Sequence, residues 1–260
     1  MSQSKVVIVR GRTRAIMVEK GLAALGINPC RAKVVIKPNL ITNRPYPITT
    51  PPETVECLIR YFAGKAKEII IAEGSGLCTG GTDKAFLDLG YVALAKRWGL
   101  RLVDLSKDDY ELMQIPEASR LKEFKLPRTL KDAFLISAAV LKGHSMAKVT
   151  LSLKNMLGAS IGLKAKFHAL GLTKSIVDIN LYTRPNLALI DGIESSSREL
   201  GGKVTHYDLL IFSEDTVAAD AVGAQILGLE PLSVPHIKLA HEMGLGTARM
   251  EEIEIVELIE

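Results

Sequence analysis

The chain has 260 residues and a net charge of +4, from 33 Lys and Arg against 29 Asp and Glu, with 47% hydrophobic and only 5% aromatic residues. At that length one large α/β domain, or two lobes sharing a sheet, is expected, and a small disulfide-stapled scaffold is excluded. So mild and mixed a charge argues against nucleic acid as the partner, and the longest run free of Asp, Glu, Lys and Arg is ten residues, against roughly 18 for a membrane span.

The start, MSQSKVVIVRGR, passes straight into strand-like residues 6–9 without an apolar leader, so a cytoplasmic protein with no membrane association is expected. Further buried strands are expected at 33–37, 68–72, 100–105, 133–141, 187–190 and 208–212. Runs such as VVIK, EIIIA and LALID alternate little, as strands do when helices cover both faces of a mostly parallel sheet. Helical apolar spacing occupies 51–62, 82–98 and 216–227. Thr50-Pro51-Pro52-Glu53 has the chemistry of a helix start: an N-cap, prolines in the first turn and a capping-box glutamate. Residues 106–132 are charged and weakly periodic, an excursion from the sheet with a solvated surface. Residues 250–260 alternate as an edge strand with glutamates outward. The whole, 1–260, is expected to form a single α/β domain. Cys30, Cys57 and Cys78 are odd in number and widely spaced, which fits neither a disulfide framework nor a CxxC metal site. The scarcity of Asn (six) and Gln (three) is a thermophile-like bias.

In doubly wound sheets, ligands collect at the carboxyl ends of strands. After the second strand, Lys37-Pro38-Asn39 opens a loop to Pro52 that holds five of the eleven prolines and Arg44. Lys37, Asn39 and Arg44 are candidate ligand-binding residues, the alternative being a rigid connector with solvated charges. After the third strand, Glu73 leads into Gly74, Ser75 and Gly76, where backbone can approach an anion. The stretch lacks a P-loop lysine and the GxGxxG spacing. Residues 133–177 contain no Asp or Glu, whereas uniform use of the chain's acids would place about five there. That stretch holds Lys142, Lys148, Lys154, Lys164, Lys166 and Lys174 with Asn155, His144 and His168. It makes a positive field suited to a small phosphate or carboxylate, and it can lower lysine pKa values. The alternative is a basic face matched by acids from elsewhere. Asp178 and Asp191 complete the candidate set. Lys37, Glu73, His144 and Asp191 are all expected at strand carboxyl ends, in one cleft. Asp220, inside an apolar helical pattern, needs a partner if buried; His236 and His241 read as structural or surface residues.

At LKGH (141–144), LSLKNMLG (151–158), DGIES (191–195) and SEDTVAADAVGAQILGLEP (213–231), the chain resembles the family called domain of unknown function 362, over residues 33–247. Members of that family often carry an appended ferredoxin-like module. Nothing here corresponds to it, so no iron–sulfur cluster is expected. The order His144, Lys154, His168 is similar, more distantly, to the lactate racemase family. That likeness implies His144 as acid/base, Lys154 anchoring a nickel pincer nucleotide, and His168 ligating nickel or another divalent metal. The stretch 73–81, where that family carries a further catalytic histidine, has none. Two functions remain open. One is an enzyme in which Lys154 and Lys142 hold a small anionic substrate or nucleotide-like cofactor and His144 moves protons, with His168 as second base or metal ligand. The other is a non-catalytic binding or assembly protein, a redox-partner or metal-delivery component, using the same basic pocket.

Overall fold

Aliphatic runs without alternation require cover on both faces, and the computed structural model supplies it with helices above and below one large sheet. The structure describes residues 3–28, 32–162, 164 and 166–260; Cys30 and the side chains of Lys166 and His168 lie outside the described residues.

In chain order the elements are β1 (Ser4–Arg10), α1 (Arg14–Leu25), β2 (Lys33–Pro38), α2 (Pro52–Phe62), β3 (Glu68–Glu73), α3 (Gly81–Asp88), α4 (Tyr91–Trp98) and β4 (Arg101–Asp104). Then come β5 (Tyr110–Gln114), β6 (Glu123–Pro127), β7 (Ala133–His144), β8 (Lys148–Thr150), α5 (Ser152–Asn155), α6 (Lys166–Leu170), α7 (Leu172–Thr183), β9 (Leu187–Arg198), β10 (Gly201–Ser213), α8 (Thr216–Ile226), α9 (Pro235–Glu242) and β11 (Ile253–Ile259). The main sheet runs β11-β1-β10-β9-β7-β2-β3-β4, with β8 folded back onto the end of β7. It is mostly parallel: β9, β7, β2, β3 and β4 run together, β11 joins β1 in parallel at the far edge, and β10 is antiparallel to both its neighbours.

One face of the sheet buries Val34, Ile36, Ile71 and Ile136 against α1, α2, α3 and α4. The other buries Ala139, Leu141 and Ile190 against α5, α7, α8 and α9, and Val35, Ile70 and Leu135 near the β5–β6 hairpin. A doubly covered α/β sheet is therefore the fold. No helix among the described residues is long and apolar enough to cross a membrane.

Three local expectations differ. The single helix over 82–98 is two, because Gly90 adopts a left-handed φ of 84° between α3 and α4. Thr50 does not cap α2; its hydroxyl donates to Ala138 O at 2.8 Å and accepts from Asn39 N, tying the proline-rich loop to β7. Residues 106–132 leave the main sheet, but the β5–β6 hairpin is not merely solvated: Phe124 stacks on Tyr182 at 4.9 Å between ring centroids, and Leu126 and Ala118 are buried.

Candidate functional site

Parallel pairing sets the carboxyl ends of β2 and β3, at Pro38 and Glu73, beside the middle of β7 at Ala138, and β7 continues past them to His144. The chain then turns back through β8, whose Thr150 lies opposite Lys142, and enters α5, which returns Lys154 and Asn155 to the same place. A cavity of about 230 Å³ opens there. Its polar lining includes Glu73, Lys142, His144, Thr150, Lys154 and Glu199, and Leu157, Phe167 and Leu172 are among its apolar walls.

Beneath the cavity lies a buried ionic floor. Lys37 is 0% exposed and Glu73 2%, and the ammonium meets the two carboxylate oxygens at 2.9 and 3.0 Å. Glu73 also accepts from Leu40 N at 3.0 Å and Gly74 N at 2.6 Å, while Lys37 donates further to Asn155 Oδ1 at 3.1 Å. Burial pushes the Lys37 ammonium below its ordinary range, and Glu73 pulls it back up. Asn155 accepts from Asn39 Nδ2 at 3.2 Å and donates to Lys37 O, which joins the floor to the loop after β2. Glycine is required above this floor: a Cβ on Gly158 would lie 2.0 Å from Glu73 Oε1 and 2.7 Å from Lys37 Nζ.

The two cavity lysines are held differently. Lys142 Nζ donates to Asn39 Oδ1 at 2.9 Å, to Ile48 O and to Glu199 O at 3.4 Å, which uses all three donors of an ammonium. No hydrogen bond or ion pair joins Lys154 Nζ to any described residue. Burial lowers Lys154 to about 8, with Glu199 opposing. Lys142 falls to about 7, through burial and then repulsion from Lys154. Glu199 arrives from the β9–β10 turn, where Ser145 holds its carboxylate through N at 3.0 Å and Oγ at 2.6 Å and brings it down to about 2 against the opposing pull of burial.

His144 is oriented by its own turn. Nδ1 accepts from Met146 N and Ala147 N, both at 3.1 Å, so the hydrogen-bond network assigns the ring proton to Nε2. Thr150 Oγ1, also in the lining, is buried with no partner among the described residues. His236, on α9, is 1% exposed with Nε2 equally unpartnered, and burial, Lys154 and His144 together drive it down to about 3.

Of the residues singled out from sequence, Asn39, Gly74, Gly76, Lys142, His144, Lys154 and Asn155 line this one cavity, and Lys37 lies directly beneath it. His168 belongs to α6, but its side chain is outside the described residues. Four others are engaged elsewhere. Arg44 donates to Leu200 O, pinning the proline-rich loop to the β9–β10 turn, and Ser75 Oγ donates to Ile41 O. Asp178 accepts from Ser119 N, Arg120 N and Leu121 N, anchoring the hairpin excursion to α7. Asp191 lies within the long β9 rather than at its end. Its carboxylate is saturated by Arg14 at 2.8 Å, Thr54 at 2.5 Å and Tyr46 at 2.8 Å, which lock α1, α2 and the proline-rich loop together. Glu199 and Thr150 were not legible as site residues, since nothing in their spacing relates them to Lys154, while His236 is buried outside the cavity lining.

The structure rests on a sequence with recognisable relatives. The profile of a family described as a domain of unknown function, DUF362, matches residues 34–225. A thylakoid-associated protein of Synechocystis sp. is 26% identical over 237 residues, covering 84% of this chain and 70% of that protein. The lactate racemase apoprotein from Thermoanaerobacterium thermosaccharolyticum superposes with a TM-score of 0.55 at 10% identity, over 86% of this chain and 57% of the racemase. At that identity the likeness is one of fold, and this chain spans little more than half the racemase's length.

Proposed function

The chain belongs to the DUF362 family, and from the cavity built within the family's span we propose that it binds a small carboxylate- or phosphate-bearing molecule at the carboxyl ends of β2, β3 and β7. One observation carries this reading: Lys154 brings an amine that makes no hydrogen bond or ion pair among the described residues into the cavity, beside a second lysine whose donors are already used. Holding a half-buried cation without a hydrogen-bonded counter-charge is costly, and an anionic ligand supplies one. The division of labour follows. Lys154 contacts the ligand, Lys142 adds positive field from a position fixed by its three hydrogen bonds, the Thr150 hydroxyl meets a ligand oxygen, and His144 lines the same space. With Nδ1 engaged by two amides, proton transfer through that nitrogen of His144 requires release of those amides.

The nickel nucleotide implied by the racemase likeness fits in part. Lys154 is placed to anchor a covalent group. Yet the cavity of about 230 Å³ is smaller than ordinary small-molecule pockets of about 300–1,000 Å³. Racemisation needs a base on each face of the reacting carbon, and the stretch opposite His144, 73–81, carries no histidine. The favoured occupant is therefore a small organic anion.

Calorimetric titration with propionate and with inorganic phosphate tests the site. Lys154→Met should weaken binding at least about tenfold, the scale of one lost charge-assisted hydrogen bond of ~1.5–3 kcal/mol, and Lys122→Met, on the excursion, should leave it unchanged. Binding should also weaken as pH rises through about 8, where Lys154 loses its charge. Equal effects of the two substitutions would remove the site.

A further inference from the structure

The contrast between the two cavity lysines has a chemical consequence for the kind of anion bound. An amine whose nitrogen is tied to three acceptors is held in place and cannot turn toward a ligand; an amine in an apolar enclosure without such bonds is the arrangement that leaves a lysine nitrogen available as a nucleophile. Lys142 is the first, held by Asn39 Oδ1, Ile48 O and Glu199 O. Lys154 is the second, with Leu157 and Phe167 among the surrounding walls and no hydrogen bond to a described residue. The Thr150 hydroxyl, 3% exposed and without a partner among the described residues, faces the same space.

We propose that Lys154 forms a covalent imine with a small oxo acid, whose carbonyl carbon it attacks while the carboxylate lies in the field of Lys142. The idea rests on the anion-site reading above and specifies its ligand. In the step, the nitrogen lone pair of the neutral amine forms the C–N bond, and the carbonyl π pair passes to oxygen, which is met by the Thr150 hydroxyl. Both hydrogens of the amine end on that oxygen, which leaves as water, so the C=O bond is replaced by C=N and nothing is oxidised or reduced. The cavity volume, about 230 Å³, suits an acid of a few carbons.

Burial lowers both cavity lysines, Lys142 to about 7 and Lys154 to about 8, so it is the three hydrogen bonds on Lys142, and none on Lys154 among the described residues, that select Lys154 for the step. At about 8 an amine is roughly one-tenth neutral at pH 7, whereas an ordinary exposed lysine near 10.4 is neutral about once in two thousand molecules. Lys154 should therefore react roughly a hundredfold faster than surface lysines.

The test is reductive trapping. The full chain is incubated with pyruvate and cyanoborohydride at pH 7, and the product is read by intact mass and peptide mapping. One addition per chain on the peptide containing Lys154, slowed by excess propionate and absent in Lys154→Arg, is the expected result. Arginine keeps the positive charge, so this variant should still bind propionate, which separates loss of the nucleophile from loss of the site. No addition, or addition spread evenly over surface lysines such as Lys122, overturns the imine. If propionate still binds the wild-type chain in that event, the anion site stands without it; if propionate fails as well, both readings fall.

Discussion

Glu73→Gln is the sharpest perturbation of the floor beneath the cavity. The substitution is nearly isosteric and leaves Lys37, fully buried, without its counter-charge. At 2.9–3.0 Å and an effective dielectric of about 20, the direct attraction removed is about 5–6 kcal/mol. Because breaking one side of a buried pair typically costs about 3–5 kcal/mol, a loss of that size is expected at pH 7. Gln can still accept from Leu40 N or Gly74 N, but not from both as well as the carboxylate does. The sign of the pH dependence follows from Lys37, whose folded-state pKa is already lowered by burial and loses the opposing pull of Glu73 in the variant. Between that lowered value and the unfolded value near 10.4, the unfolded chain binds more protons, so stability rises with pH. The penalty should thus shrink between pH 7 and about pH 10 as the variant's folded state releases the Lys37 proton. Urea denaturation at both pH values, at constant ionic strength, reads it. Lys37→Met added to Glu73→Gln should recover most of the loss, since no lone buried charge remains. A penalty below about 1 kcal/mol at pH 7, within the range of exposed pairs, or a double variant less stable than either single one, would show that the pair does not carry the floor.

Two other outcomes probe the surrounding structure. Gly158→Ala places a methyl 2.0 Å from Glu73 Oε1, so it should destabilise the fold by about 1–3 kcal/mol, the usual cost of overpacking; a denaturation midpoint equal to the wild type's would refute the packing described. His236→Phe removes a buried imidazole lowered to about 3. In the wild type the unfolded chain binds the extra proton between about 3 and the ordinary value near 6.5, so stability falls with acidification through that window. The variant should lose less stability than the wild type between pH 6.5 and pH 4, and parallel stability curves over that range would sink the assignment.

Much of the scaffold was legible because burial on two faces leaves a one-dimensional trace: VVIK, EIIIA and AFLISAAVL are apolar without alternation, and each became a parallel strand. Strand ends then placed Lys37, Glu73 and His144 at one end of the sheet, and the acid-free stretch 133–177 drew attention to Lys142 and Lys154. Asp191 misled because its strand continues for several residues past the apolar run LALI, so a residue that looked terminal is internal and consumed by Arg14, Thr54 and Tyr46. Thr50 misled for a related reason: its hydroxyl satisfies a neighbouring strand rather than the helix it precedes.

What the sequence determined by itself, then, was the α/β class, the elements and the end of the sheet where polar side chains would gather, since these depend on local periodicity and on the direction of each strand. Tertiary structure alone decided which charges meet. Glu199 comes from the β9–β10 turn and Glu73 from β3 to answer lysines far along the chain, and only their positions show that Lys37 is paired, that Lys142 has spent its donors and that Lys154 has not. Hydrogen-bond saturation is a property of distances between residues remote in sequence, and it separates three chemically identical ammonium groups into a structural, a field-bearing and a ligand-facing one.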